Sequence, residues 1–261
     1  MSATISSINY CPVKSVSFQT IENCEIKKDI GIVSDRIFAF AKDLDQEQAK
    51  LFEKSPDDRK GKWNKVLTLK NSPVLNKYNF IYKDEKLTLT LKDKEILTID
   101  IDQLEQREAL SNKISELESY LKQPITLMKN NEFPFFDTSI SNKVNFVNSV
   151  SLINIQSINH FQKKIDRNVE TSIFRGNICL DGIEPWKERE WIGKIIKINN
   201  VSFKVEKNIP RCVAINLKPR TDDNSFNLLQ SLKKTYNHFE MGIYLTALND
   251  GKINIGDTIN I

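Results

Sequence analysis

Chemistry in this chain rests on few residues, and the one with the widest reach is Cys212. It sits between Arg211 and the apolar run Val213-Ala214-Ile215, within the stretch Asn208 to Asp222. A cationic neighbour lowers a thiol's pKa, and the thiolate is the form that attacks electrophiles or ligates soft metals. Taken alone, a cysteine in a β-rich segment is more often a small buried hydrophobe. The company it keeps raises the functional reading. Lys14-Ser15 and Asp35-Arg36 stand at the ends of expected strands, where side chains converge on a site. Composition alone favours solvated surface charges for Lys14 and Arg36. Phe174-Arg175-Gly176-Asn177-Ile178 forms a polar turn feeding a strand that ends at Asp181.

Other catalytic hardware is sparse. The four cysteines, Cys11, Cys24, Cys179 and Cys212, include no Cys-x-x-Cys pair, and the two histidines are His160 and His238. A structural zinc site or a cysteine-ligated iron–sulfur cluster is therefore not expected. If Cys212 ligates a metal, the metal brings most of its other ligands with it. The start, Met1-Ser-Ala-Thr-Ile, has no charged region leading into an apolar core, so no signal peptide is expected, and with it no disulfides. No apolar run approaches a membrane span, and the expected location is cytoplasmic. Net charge is +4, from 38 basic and 34 acidic residues. So slight an excess gives no warrant for nucleic acid, but suits an anionic small ligand held by a few placed arginines and lysines.

The elements that must position these residues are mostly strands. At 261 residues the chain forms one large domain or two smaller ones. Strand-like runs are expected at 5–10, 20–26, 35–41, 66–69, 78–82, 87–91 and 96–101, with a polar helical piece or loop between Asp43 and Trp63. The period then changes: Leu110, Ile114, Leu117 and Leu121 share one face of a helix expected over Gln103 to Lys122, with Pro124 ending it. A boundary near residue 123 gives two units, 1–123 and 124–261. Asn130 to Asn148 reads as a loop whose Phe133-Pro-Phe-Phe136 cluster either covers a pocket or anchors the loop. Beyond it come a strand at 149–154 and a short helix carrying Ile155, Ile158, Phe161 and Ile165. Two strands follow about Asn199-Asn200, then a helix at 225–237, a strand at 241–248 and a final turn and strand. Many short strands, few helices and no βαβ alternation predict a mainly β protein of antiparallel barrels with appended helices.

Five short motifs, in order along the chain, resemble those of the MOSC proteins with their N-terminal β-barrel partner domain. Cys11-Pro12-Val13-Lys14-Ser15 resembles the family's Tyr-Pro-Val-Lys-Ser, and Gly31 to Phe38 its Gly…Asp-Arg-aromatic segment. Phe174-Arg175-Gly176-Asn177-Ile178 resembles Phe-Arg-Pro-Asn-Ile, Pro210-Arg211-Cys212 resembles Ser-Arg-Cys, and Gly251 to Asp257 the closing Gly-x-Ile-x-x-Gly-Asp. Within the group the chain is most similar to the mitochondrial amidoxime-reducing component and to bacterial relatives lacking a ferredoxin extension. The resemblance implies a MOSC β-barrel domain with appended helices behind an N-terminal β-barrel-like domain.

It also implies a molybdenum cofactor, a pterin dithiolene with a terminal phosphate (Mo-molybdopterin). Cys212 would be the protein's ligand to molybdenum, with Lys14, Ser15, Arg36, Arg175, Asn177 and Arg211 holding the pterin and phosphate. Asp181 stands where it could relay a proton or simply brace a turn. The implied activity is an oxidoreductase that reduces N-hydroxylated small molecules. Its electrons would come from a separate ferredoxin-, cytochrome b5- or flavoprotein-type partner. Two other functions stay open on the same residues: sulfur transfer through a persulfide on Cys212, and non-catalytic carriage of the cofactor. Three departures from the family pattern are Cys11 for tyrosine, Gly176 for proline, and Pro210 for serine.

Overall fold

Leu87-Thr-Leu-Thr-Leu91 follows its alternation up to the last residue: Leu87 and Leu89 are buried, Thr88 and Thr90 are half-exposed, and so is Leu91 at the strand's end. It belongs to a computed structural model that describes residues 3–44, 46–54, 63–121, 124–136 and 149–261. The strands are β1 (Thr4–Tyr10), β2 (Gln19–Ile21), β3 (Asn23–Lys27), β4 (Gly31–Ile32), β5 (Phe38–Lys42), β6 (Tyr78–Lys83), β7 (Lys86–Leu91) and β8 (Lys94–Asp100). They continue as β9 (Ile125–Lys129), β10 (Val150–Asn154), β11 (Ile178–Asp181), β12 (Ile195–Ile198), β13 (Val201–Pro210), β14 (Glu240–Ala247), β15 (Gly251–Asn254) and β16 (Ile259–Asn260). The α-helices are α1 (Gln46–Lys54), α2 (Leu104–Leu117), α3 (Ile155–Ile165) and α4 (Leu228–Tyr236).

The protein is mainly β. Its largest sheet has eight strands in the order β16-β12-β13-β14-β10-β11-β1-β2. The sheet curls: Thr4 bridges Thr258, and Ile259 N–H donates to Ala3 O at 2.9 Å, so β1 meets the chain's end through a bridge and not a full ladder. Smaller sheets are β15-β3-β4, β5-β9 and β6-β7-β8. The curled sheet wraps one core, which includes Trp191, Phe203, Leu245 and Ile253; a second, around Phe38, Phe80, Leu89 and Ile114, lies under β6–β8 and α2. The expected boundary at residue 123 lies outside the described residues, as do residues 55–62 and 137–148 of the expected loops. Strands pair across that point in both directions, β1 with β11 and β5 with β9. Among the described residues no helix is long and apolar enough to cross a membrane.

Several elements differ from expectation for local reasons. Antiparallel pairing has an exception in β10 and β11, which pair in parallel and are joined through α3, a βαβ unit. Parallel neighbours need a long crossover, and α3 with the turns after it supplies one. α2 stops at Leu117, short of Pro124. Glu118 leaves the helix because its carboxylate is drawn to Lys77 Nζ (2.6 Å) and Tyr78 Oη (2.7 Å). The run at 66–69 keeps only a bridge from Val66 to Ala41, because Asn71 folds the chain back on Thr68. The third expected strand starts at Phe38, since Arg36 has a left-handed backbone (φ 55°).

A buried carboxylate fixes α3 against the segment after β11. Glu188 is fully buried and accepts from Asn154 Nδ2 (3.0 Å) and Ser157 Oγ (2.9 Å), at the N-terminus of α3 where the helix favours negative charge. Burial is the largest influence on its pKa, raising it above the ordinary 4.5 against the pull of those hydrogen bonds. The folded state thus holds the proton more tightly than the unfolded chain. The resulting stabilisation is present below the ordinary pKa and lost as pH rises through the folded one. Glu188→Gln should therefore flatten the stability–pH curve above pH 4.5. Urea denaturation across that range checks this, and an unchanged slope would show that Glu188 does not cause it.

Candidate functional site

Lys14-Ser15 and Asp35-Arg36 are brought side by side by backbone hydrogen bonds. Arg36 N–H donates to Cys11 O (2.7 Å), Phe38 N–H to Pro12 O (2.9 Å) and Lys14 N–H to Phe38 O (2.8 Å). The paired loops form one wall of a cavity of about 710 Å³. The turn 174–176 ahead of β11, the end of β13, Tyr244 of β14 and the turn from Trp63 to Asn71 complete it. Six cations line this space, Lys14, Arg36, Lys70, Arg175, Lys207 and Arg211, and its lining includes no carboxylate among the described residues.

The inner cations are held in place. Lys14 is buried, donates from Nζ to Phe135 O (3.0 Å), and lies 5.5 Å from the Trp63 ring centroid. Arg36 is sandwiched between Phe18 (4.8 Å) and Phe136 (4.5 Å), and Arg175 stacks on Phe18 (4.5 Å) while donating to Val16 O (2.9 Å). Stacking on a ring face fixes a guanidinium plane, and a fixed planar fork suits an oxyanion. Ser15 and Arg175 share the left-handed backbone of Arg36, with φ of 68° and 51°. Uncommon conformations for such residues cluster where surrounding structure imposes them.

Asp35 imposes much of this. Its carboxylate is buried, accepts from Cys11 N–H (3.0 Å) and Asn177 Nδ2 (3.0 Å), and pairs with Arg36. Asn177 is therefore not in the cavity. Its amide is committed to Asp35, to Asn9 O (3.1 Å) and to Ser151, whose Oγ donates to Oδ1 at 2.8 Å. Asp181 is also away from the cavity, at the far end of β11, where Oδ1 accepts from Gln156 Nε2 (2.8 Å) and Gly182 N–H (2.7 Å). The turn-bracing reading of Asp181 is the one its contacts support.

Arg211 lines the cavity and braces its walls. It donates to Phe174 O (2.7 Å) and, through Nε, to Met241 O (2.9 Å). Its guanidinium is enclosed although the residue as a whole is half-buried, and that burial lowers its pKa to about 10, leaving it a cation at neutral pH. Cys212 follows at the start of the 3-10 turn Val213–Asn216 and is half-buried on the cavity wall. The other three cysteines are buried thiols: burial pushes Cys11 up to about 11 and Cys24 up to about 12, and raises Cys179. Of the four, Cys212 alone is open to the cavity.

Six of the eight site residues expected from sequence thus converge: Lys14, Ser15, Arg36, Arg175, Arg211 and Cys212. Trp63, Lys70, Lys207 and Tyr244 line the cavity and were not expected as site residues. The Phe133–Phe136 cluster divides its two readings between neighbours, Phe135 being a fully buried anchor and Phe136 a wall of the cavity.

Residues 142–260 match the family model of the MOSC domain. Among curated proteins, the chain is similar to the molybdenum cofactor sulfurase of Bombyx mori, at 30% identity over 127 residues, which is 46% of this chain and 14% of that protein. The molybdenum cofactor sulfurase of Drosophila willistoni is 29% identical over 122 residues, 45% of this chain and 15% of that one. The matched stretch thus spans about one seventh of these relatives. Among solved structures, the YUAD protein from Bacillus subtilis aligns with a TM-score of 0.45 at 9% identity, over 99% of this chain and 94% of that one. YiiM from Geobacillus stearothermophilus aligns at 15% identity and a TM-score of 0.33, over 42% and 52%.

Gly242 gives Arg211 its place. With φ at 78°, a Cβ there would lie 2.5 Å from Leu152 O and 3.4 Å from Arg211 Nη2. Gly242→Ala should destabilise the fold by on the order of 3 kcal/mol, combining backbone strain with overpacking. Its guanidinium-chloride midpoint checks this, and a change below about 0.5 kcal/mol, typical of neutral surface sites, would show that the backbone gives way there at little cost.

Proposed function

We propose that the cavity binds a molybdenum cofactor and that the protein reduces N-hydroxylated compounds to the corresponding amine or amidine and water. That conversion consumes two electrons and two protons, the electrons supplied by a separate redox protein. The observation that carries the reading is a half-buried thiol, Cys212, set in a cavity whose charged lining residues, among those described, are all cations. Such a lining suits an anionic ligand. The donor set fits a phosphorylated pterin dithiolene. Arg36 and Arg175 present planes of N–H donors, Lys14 a point charge and Ser15 a hydroxyl for the terminal phosphate. Cys212 offers a sulfur to a metal that arrives with sulfur and oxygen ligands of its own. When bound, the cofactor supplies the redox chemistry that breaks the N–O bond.

This chain's own residues bind and orient. Arg36 and Arg175, stacked on Phe18, keep their donors aimed, and Asp35 holds Arg36 from behind. Arg211 keeps the Cys212 turn against Phe174 and Met241. Asn177 acts as a positioning residue through Asp35, and Asp181 has no part in this reading.

The relatives' names favour a second reading: Cys212 carries a persulfide and serves sulfur transfer. Molybdenum and pterin content, sulfane sulfur and benzamidoxime reduction separate the two, measured on protein expressed with molybdate in a cofactor-producing host. Near-stoichiometric molybdenum in wild type is expected, with reduction lost in Cys212→Ser. Arg175→Ala should retain at most about a tenth of the metal, since removing a charge-assisted contact weakens binding by roughly 1.5–3 kcal/mol. Metal-free wild type bearing sulfane sulfur on Cys212 would establish the carrier instead. Undiminished molybdenum in Arg175→Ala would remove that residue from the cofactor site.

A further inference from the structure

Beside Cys212 the cavity wall runs out onto an apolar surface. Pro210, the last residue of β13, both lines the cavity and is exposed, so the wall reaches solvent there. Pro210 pairs with Glu240 of β14, and Arg211 N–H donates to Phe239 O (2.7 Å), which lays Phe239 alongside the residues that carry Cys212. Phe239 is 41% exposed, and Val213, immediately after Cys212, is 50% exposed. Exposed apolar residues scattered singly are ordinary, but these three lie on backbone joined by that pairing.

The turn after α4 holds Phe239 outward. Asn237 ends the helix in a left-handed conformation (φ 59°), its N–H on Lys233 O (2.9 Å). His238 is half-buried, stacked on Tyr236 at 5.7 Å between ring centroids, and its Nδ1 accepts from Glu240 N–H (3.1 Å). Lys233 Nζ lies 5.2 Å from the Phe239 ring centroid and donates to Asn237 O (2.8 Å); Lys234 beside it is also exposed. A ring face and a carbonyl leave the charge of Lys233 uncancelled. Glu240, the carboxylate opposite Pro210, is paired with Arg189 (2.6 Å). The patch is apolar with a positive edge.

We propose that Pro210, Val213 and Phe239, with Lys233 and Lys234 at their edge, form the docking surface for an acidic electron-transfer protein. The choice of partner rests on the reaction proposed above, which draws two electrons from outside the chain, so a one-electron donor docks twice per turnover. An apolar centre with charge at the rim is the anatomy of a protein interface, and redox encounters need little area. Electrons then enter beside Cys212. Phe239 and Val213 lie outside the cavity lining, which separates them from the small-molecule substrate. A second copy of the chain fits less well, because a two-fold contact sets two positive patches face to face.

The test is benzamidoxime reduction by the cofactor-loaded chain, driven either by an acidic iron–sulfur ferredoxin or by reduced methyl viologen, a small reductant that needs no docking surface. Lys233→Glu/Lys234→Glu should raise the KM for ferredoxin roughly tenfold at low ionic strength, an effect of rim charge that fades in high salt. Phe239→Ala should raise it about tenfold at either ionic strength, as loss of a central aromatic does. The KM for benzamidoxime and the viologen-driven rate should stay at wild-type values. Lys92→Glu/Lys94→Glu, at the turn from β7 to β8, should change nothing. A ferredoxin KM indifferent to both sets of substitutions would overturn the surface, as would an equal effect from the remote pair. So would an equal loss with viologen, a raised KM for benzamidoxime, or failure of ferredoxin where viologen succeeds. If viologen drives no reduction, the proposed reaction is refuted, and calorimetry with oxidised ferredoxin decides the surface by itself. Binding lost in Lys233→Glu/Lys234→Glu then keeps it, and binding that is absent in wild type or persists in that variant overturns it.

Discussion

The cavity depends on one buried carboxylate. Asp35 reaches three separated parts of the chain: the amide of Cys11 after β1, the side chain of Asn177 ahead of β11, and the guanidinium of Arg36 beside it. Buried charge is tolerable only when paired and fully hydrogen-bonded, and here the pairing also assembles the site. Through Asn177 the same carboxylate reaches Ser151 of β10, so the cation wall is tied to the parallel β10–β11 pair at the centre of the curled sheet. The interaction that makes Asp35 tolerable in the core is the one that aims Arg36.

Opposite it stands a cavity whose charged lining, among the described residues, is cationic. Cations gathered in a partly enclosed space repel, and the fold counters this with carbonyl oxygens and ring faces as well as with Asp35 behind Arg36. Lys14 uses Phe135 O, Arg175 uses Val16 O and Phe18, and Arg211 uses Phe174 O and Met241 O. Carbonyls and π faces attract a cation without cancelling its charge, so the cavity keeps a net positive field for an anionic ligand.

Local periodicity made much of the scaffold legible. The alternation at 87–91, the apolar stripe of α3 and the turn at Asn199-Asn200 all appear where their patterns indicate. What stayed hidden depends on contacts between distant residues. Glu118 ends α2 because of Lys77 and Tyr78, some forty residues earlier. Lys207 reaches the cavity through a register shift set by β14, and Trp63 does so through a turn that reads only as polar chain. The cation motifs were readable as short words, yet the resemblance alone could not separate Asn177, which aims a neighbour, from Arg175, which faces the ligand space. That distinction lies in where each side chain's hydrogen bonds go.

The departures at Cys11 and Gly176 follow the same logic. A Cβ on Gly176 would lie 2.6 Å from Ile153 Cδ1, so in this chain Ile153 occupies the space that a ring at residue 176 would need. Cys11 is fully buried beneath the cations, its sulfur 3.8 Å from Arg175 Nη2, where a tyrosine would be far bulkier. Each substitution removes volume next to the turn that carries Arg175, and neighbours already present, Ile153 on one side and Arg175 on the other, fill it. The backbone of Arg175 keeps its left-handed turn and its guanidinium keeps Phe18.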